Sequence, residues 1–132
     1  MKLFLVPAIL LTGLLFYNFT TSTQEKTNQP QPSKQLSISA DVQKIIDNSC
    51  FGCHNAESKN EKGKGKLMFE TLDTLSVAKL VGKLADISEE VDEDKMPPAK
   101  FLEFKPEAKL SPMQKEALIK WANTAGDALL KK

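Results

Sequence analysis

The strongest constraint on this 132-residue chain is a five-residue run, Cys50-Phe51-Gly52-Cys53-His54, which contains both of its cysteines and its only histidine. Two thiols separated by two residues can form thioether bonds with the two vinyl groups of a porphyrin, and the next imidazole can then ligate the iron. The spacing therefore indicates an attachment site for one haem c. Cys50 and Cys53 are the expected attachment points, and His54 is the expected iron ligand.

Two other uses of the cysteine pair remain open at this point. Disulfides are common in exported proteins, and a redox-active pair at this spacing needs a thioredoxin-like strand-helix-strand context, which the sequence pattern does not indicate. A structural zinc site needs four ligands, whereas this run offers three adjacent ones. Haem attachment is the interpretation that accounts for the histidine as well as for both thiols.

The charges of the chain argue against nucleic acid as a partner. Eighteen lysines stand against seventeen acidic residues, and arginine is absent. A balanced charge gives no electrostatic attraction to phosphates, and arginine is the side chain best suited to bidentate contacts with phosphates and bases. We also expect no enzymatic activity, because the one histidine is committed and no Ser/His/Asp or Cys/His arrangement remains for hydrolysis.

The N-terminal residues indicate export. Residues 1–23 carry Lys2 and then an almost unbroken apolar run from Leu3 to Phe16, shorter than the roughly 20 residues of a stable membrane span. This pattern predicts a signal peptide or an N-terminal membrane anchor, and hence a periplasmic protein that is either released or tethered. Residues 24–37 are polar and predict a disordered linker, which leaves residues 38–132 as the haem-binding domain.

The remaining pattern is helical throughout. A first helix is predicted from the N-cap Ser39, a second from about Thr74 to Ile87, and a third from the capping box that begins at Ser111. Residues 55–66, rich in lysine and glycine, are expected to form a mobile basic loop. No strand-like alternation appears, so we predict an all-α fold of three to four helices around one covalently bound haem.

Methionine is the remaining side chain that matters to a haem. Met96 precedes two prolines, Pro97 and Pro98, which favour an extended and rigid backbone. A methionine held in this way is suited to ligate iron through its thioether. Met68 and Met113 lie in apolar or helical patterns and are expected to fill the core.

Taken together, these residues resemble a class I cytochrome c and, more narrowly, a small haem-binding domain of exported bacterial proteins. The resemblance covers about residues 40–125 and rests on Cys50-Phe51-Gly52-Cys53-His54, on Met96-Pro97-Pro98, and on the segment 106–111 that leads to residues 117–121. It implies covalent haem, His54 as the proximal ligand and Met96 as the distal ligand.

The expected function is that of a monohaem c-type cytochrome, which carries single electrons between redox partner proteins outside the cytoplasm. Ligation by His54 and Met96 would leave no open site on the iron. The alternative is a haem-based ligand sensor or a peroxidase-like protein with an open or displaceable distal site. Arginine and a second histidine, which assist peroxide chemistry, are both missing from the chain.

Overall fold

The structure is a computed structural model that describes residues 36–131, and all regular structure in this range is helical. The predicted all-α fold is therefore confirmed. Five α-helices follow one another: α1 (Ala40–Ser49), α2 (Glu61–Lys66), α3 (Val77–Asp92), α4 (Ala99–Leu102) and α5 (Pro112–Leu130). Short 3-10 helices span Phe69–Thr74 and Pro106–Ala108. The predicted leader, residues 1–23, and most of the predicted linker lie outside the described residues.

The three longest helices begin at side-chain caps. The hydroxyl groups of Ser39 and Ser76 accept hydrogen bonds from backbone N–H groups in the first turns of α1 and α3. Helix α5 has the complete capping box: Ser111 caps the helix, and the Gln114 side chain accepts from the Ser111 N–H at 2.8 Å. Because such caps satisfy N–H groups that have no partner inside the helix, they set where each helix starts.

The main packing contact joins α3 and α5, and α1 packs against α5 beside it. Two groups of buried apolar side chains fill the spaces between these helices. The α1 cluster comprises Val42, Ile45, Ile46, Val91, Leu110 and Leu118. The α3 cluster comprises Leu72, Leu80, Leu84, Ile87 and Ala122. Phe69 and Trp121 pack against both clusters, so the two form one continuous core.

The start of the described chain is fixed to this core. Leu36 packs against the α3 cluster and donates its N–H to Asp73 Oδ1 at 2.9 Å. The indole Nε1 of Trp121 donates to the carbonyl of Ser37 at 3.0 Å. Leu36 and Ser37, which the sequence interpretation assigned to the linker, thus make specific contacts with the domain.

Three expectations were wrong. Residues 61–66 form α2 instead of a loop, because the Asn60 side chain caps them and Lys64 pairs with Glu61 at 2.8 Å. The helix count of three to four is too low, since the short helices α2 and α4 carry no periodic signal. Met113 is 81% exposed and fills no core, because it lies in the first turn of α5, before that helix meets its neighbours.

Candidate functional site

The motif Cys50–His54 is a compact turn at the end of α1. The N–H groups of Cys50 and Phe51 both donate to the carbonyl of Ile46 at 2.9 Å, which ends the helix. The N–H groups of Cys53 and His54 then donate to the carbonyl of Cys50 at 3.1 and 3.2 Å. Because Ile46 is fully buried in the α1 cluster, the core holds this turn in place.

A cavity of about 490 Å³ opens beside this turn, and its size lies within the usual range of cofactor pockets. The four residues predicted as the site, namely Cys50, Cys53, His54 and Met96, all line it. Most of its wall is apolar and comes from segments far apart in the sequence: Leu67, Phe69, Ile87, Val91, Pro97, Pro98 and Phe101. Such a wall suits the faces of a flat, apolar ring system.

The orientation of His54 is set by two backbone carbonyls. Its Nδ1 lies 3.0 Å from the oxygen of Gly63 and 3.1 Å from that of Leu67. Both partners are acceptors, so Nδ1 carries the proton and donates, which leaves Nε2 free as a metal ligand. The ring also meets Phe69 edge-on, with centroids 6.4 Å apart. This arrangement is the one that a neutral histidine needs to ligate iron.

Gly63 is required because α2 approaches the motif very closely. A Cβ atom at this position would lie 2.9 Å from the carbonyl oxygen of Cys53 and 3.2 Å from the side chain of Asn60. Any larger residue would therefore push α2 away from the motif and displace the carbonyls that hold His54. A short helix that the sequence analysis missed thus orients the predicted iron ligand.

We expect Gly63→Ala to destabilise the protein by about 1–3 kcal/mol, since the added methyl group meets backbone that cannot move aside without loss. The matched control is Gly65→Ala in the same helix, where a Cβ meets nothing within 4 Å. That change should be neutral or stabilise by up to about 1 kcal/mol, because alanine favours a helix. Urea unfolding of both variants checks this, and equal free energies of unfolding would contradict the role of Gly63.

The two thiols of the motif are free, and no disulfide joins them. Burial, together with a smaller effect of the neighbouring Cys53, raises the pKa of the Cys50 thiol to about 12. Cys50 is therefore a neutral thiol that forms part of the apolar wall. Within residues 36–131 no group of three or more His, Cys, Asp or Glu side chains is arranged to hold a metal ion.

Met96 lies on a non-helical turn after α3, as the two prolines indicated. The N–H groups of Lys95 and Met96 both donate to the carbonyl of Glu90, at 2.9 and 3.1 Å. The Met96–Pro97 peptide bond is cis, Pro97 is buried, and Pro98 caps α4. Neither Met68 nor Met113 lines the cavity. Of the methionines in the described range, only Met96 therefore shares the cavity with His54.

Charged side chains occupy the rim of the cavity. Lys62 and Lys66 reach it from α2, and Lys83, Asp86 and Glu90 reach it from α3. Lys62 and Lys66 belong to the segment expected to be a loop, and neither Phe69 nor Phe101 was expected at the site. Each phenylalanine lies in a short apolar stretch between polar segments, and this position is the only sequence signal that could have marked them as wall residues.

Comparison with known proteins identifies the family to which the chain belongs. The model of the haem-binding domain family matches residues 56–124, more than half of the chain, and includes α2 to α4, Met96 and the first two thirds of α5. The match begins just after the motif. The two thiols and the histidine of the motif are therefore evidence for haem binding that is independent of this match. No curated protein and no solved structure matched the chain. The chain is a member of the haem-binding domain family.

Proposed function

We propose that this haem-binding protein is a monohaem c-type cytochrome that carries single electrons between partners outside the cytoplasm. The observation that carries the proposal is that Cys50, Cys53, His54 and Met96 line one mostly apolar cavity. In this assignment the thiols of Cys50 and Cys53 form the thioether bonds. Nε2 of His54 and the sulfur of Met96 would ligate the iron.

When bound, the haem supplies a ferric/ferrous couple that accepts and returns one electron. The residues of the chain have three tasks around it. The carbonyl oxygens of Gly63 and Leu67 accept hydrogen bonds from Nδ1–H of His54 and thereby fix the orientation of the ring. The carbonyl of Glu90 holds the backbone at Met96. The apolar wall excludes water, which limits reorganisation of solvent when the charge on the iron changes.

Two features support electron transfer over chemistry on a bound substrate. A thioether and an imidazole together leave no open position on the iron, and thioether ligation favours the ferrous state. The one histidine of the chain has both ring nitrogens assigned, so none remains as a general base. We therefore propose that the protein is not an enzyme.

The proposed location outside the cytoplasm rests on the apolar run near the N-terminus and on the chemistry of covalent haem attachment. Among residues 36–131 there is no helix long and apolar enough to cross a membrane. In the proposal, residues 1–23 export the domain and are either removed or kept as a tether. The partners are exported redox proteins.

The test of this function is electrochemistry of the haem-loaded protein. We expect one reversible one-electron wave and no binding of carbon monoxide to the ferrous form, since Met96 occupies the distal position. Rapid carbon monoxide binding by the unaltered protein would instead favour the ligand-sensor alternative. Peroxide consumption well above that of free haem would favour the peroxidase-like one.

A further inference from the structure

We propose that Lys115 and Asp94 form a clamp that holds the turn carrying Met96, which makes Lys115 a positioning residue for the distal ligand. No residue of α5 lines the cavity, so Lys115 acts on the site only through this turn. The inference rests on the proposed ligation of iron by Met96. It assigns a role to an ion pair between α5 and the end of α3.

The turn begins where α3 ends. Glu93 caps the helix, and Asp94 follows with a φ of 56°, in the left-handed region. Aspartate is one of the few residues other than glycine that adopt this conformation readily, because its short polar side chain can bond locally. Asp94 therefore reverses the chain direction and sends Met96 back towards the cavity.

From the α3 side, the turn is held by backbone hydrogen bonds and by an ion pair between Lys95 and the C-cap residue Glu93. The carbonyl of Glu90 accepts from the N–H groups of Lys95 and Met96, and that of Val91 accepts from Asp94 at 3.3 Å. These bonds fix the path of the backbone relative to α3. They do not attach the turn to the rest of the domain.

Lys115 provides that attachment. Its Nζ donates to Asp94 Oδ1 at 2.8 Å and to the backbone carbonyl of Asp92 at 3.4 Å. The Lys115 side chain is only 23% exposed, whereas that of Asp94 is 81% exposed. Val91 and Leu118 pack in the α1 cluster beside the clamp, so α5 is a firm support for it.

The expected effect of the clamp is local. An ion pair whose carboxylate is exposed to solvent contributes little to the global stability of a domain, so losing this one should leave unfolding almost unchanged. A looser turn would, however, increase the fraction of molecules in which Met96 has left the iron. A competing external ligand binds only these molecules. The apparent affinity of that ligand therefore rises in proportion to the fraction of molecules in which Met96 has left the iron.

The experiment titrates the haem-loaded ferric protein with imidazole. The test variants are Lys115→Met, which keeps the aliphatic chain, and Asp94→Asn, which keeps the preference for positive φ. The matched controls are Lys120→Met on the exposed side of α5 and Asp92→Asn, which retains the carbonyl that Lys115 contacts. Met96→Ala gives the imidazole affinity of a protein that lacks the distal ligand altogether.

We expect both test variants to bind imidazole about tenfold more tightly than the unaltered protein. Both controls should stay unchanged, and the midpoint of thermal unfolding should hardly move in any of the four. The double variant of Lys115→Met and Asp94→Asn should bind imidazole hardly more tightly than either single variant, because both substitutions remove the same contact. Unchanged imidazole affinity in Lys115→Met and Asp94→Asn, beside a large change in Met96→Ala, would overturn the clamp alone. No change in Met96→Ala would overturn the distal assignment, and the clamp with it.

Discussion

Replacing Met96 by alanine should leave the covalently attached haem in place and remove its distal ligand. The reduction potential should fall by on the order of 0.1 V, because a thioether favours the ferrous state and axial ligands tune haem potentials over roughly 0.8 V. The ferrous protein should then bind carbon monoxide. Absorption spectra, with loss of the sulfur-to-iron charge-transfer band, and a potentiometric titration measure both effects.

The other methionines of the described range serve as matched controls for this change. Met113→Ala removes an exposed side chain on α5, and Met68→Ala removes one that does not line the cavity. Both variants should keep the ferric spectrum of the unaltered protein. If Met96→Ala also keeps that spectrum, Met96 is not an iron ligand and the ligand-sensor alternative gains support.

Replacing Cys50 and Cys53 together by alanine should abolish covalent haem. After expression with the machinery for cytochrome c maturation, the unaltered protein should carry the mass of one haem, which stays attached through extraction with acidified solvent. The double variant should lose essentially all of it, because no other cysteine exists in the chain to form a thioether. Mass spectrometry of the extracted protein gives the readout.

Variants that replace only one of the two cysteines test the number of thioether bonds. Each retains one thiol in the cavity wall, so each should keep haem through a single bond at reduced yield. Met113→Ala is again a suitable control, since Met113 is exposed and does not line the cavity. Haem that resists extraction in the double variant would show that attachment does not use these thiols.

The elements that sequence could predict are those with local signals. Ser39 and Ser111 were identified as helix caps, and both hydroxyl groups accept from the first turns of their helices. Val42, Ile45 and Ile46 recur at helical spacing in the sequence, and all three are buried on one side of α1. Caps and apolar periodicity act within a few residues, so they are readable without the fold.

Helix α2 could not be predicted, because its six residues, Glu61–Lys66, comprise only charged residues and glycine. Its position depends on contacts with the motif, where the carbonyl of Gly63 meets the ring of His54. Phe101 and Ile87 reach the same cavity from separate helices. Such meetings depend on how the helices pack, and a single sequence carries no direct signal for them.

The bonds from Trp121 to Ser37 and from Leu36 to Asp73 also determine where a mechanical load would act. If the N-terminal residues tether the domain to a membrane, any pull on that tether reaches Leu36 and Ser37 first. The force then passes into α5 and the 3-10 helix Phe69–Thr74 before it reaches α1. Two contacts of the domain thereby take up part of such a load before it reaches the motif Cys50–His54 at the end of α1.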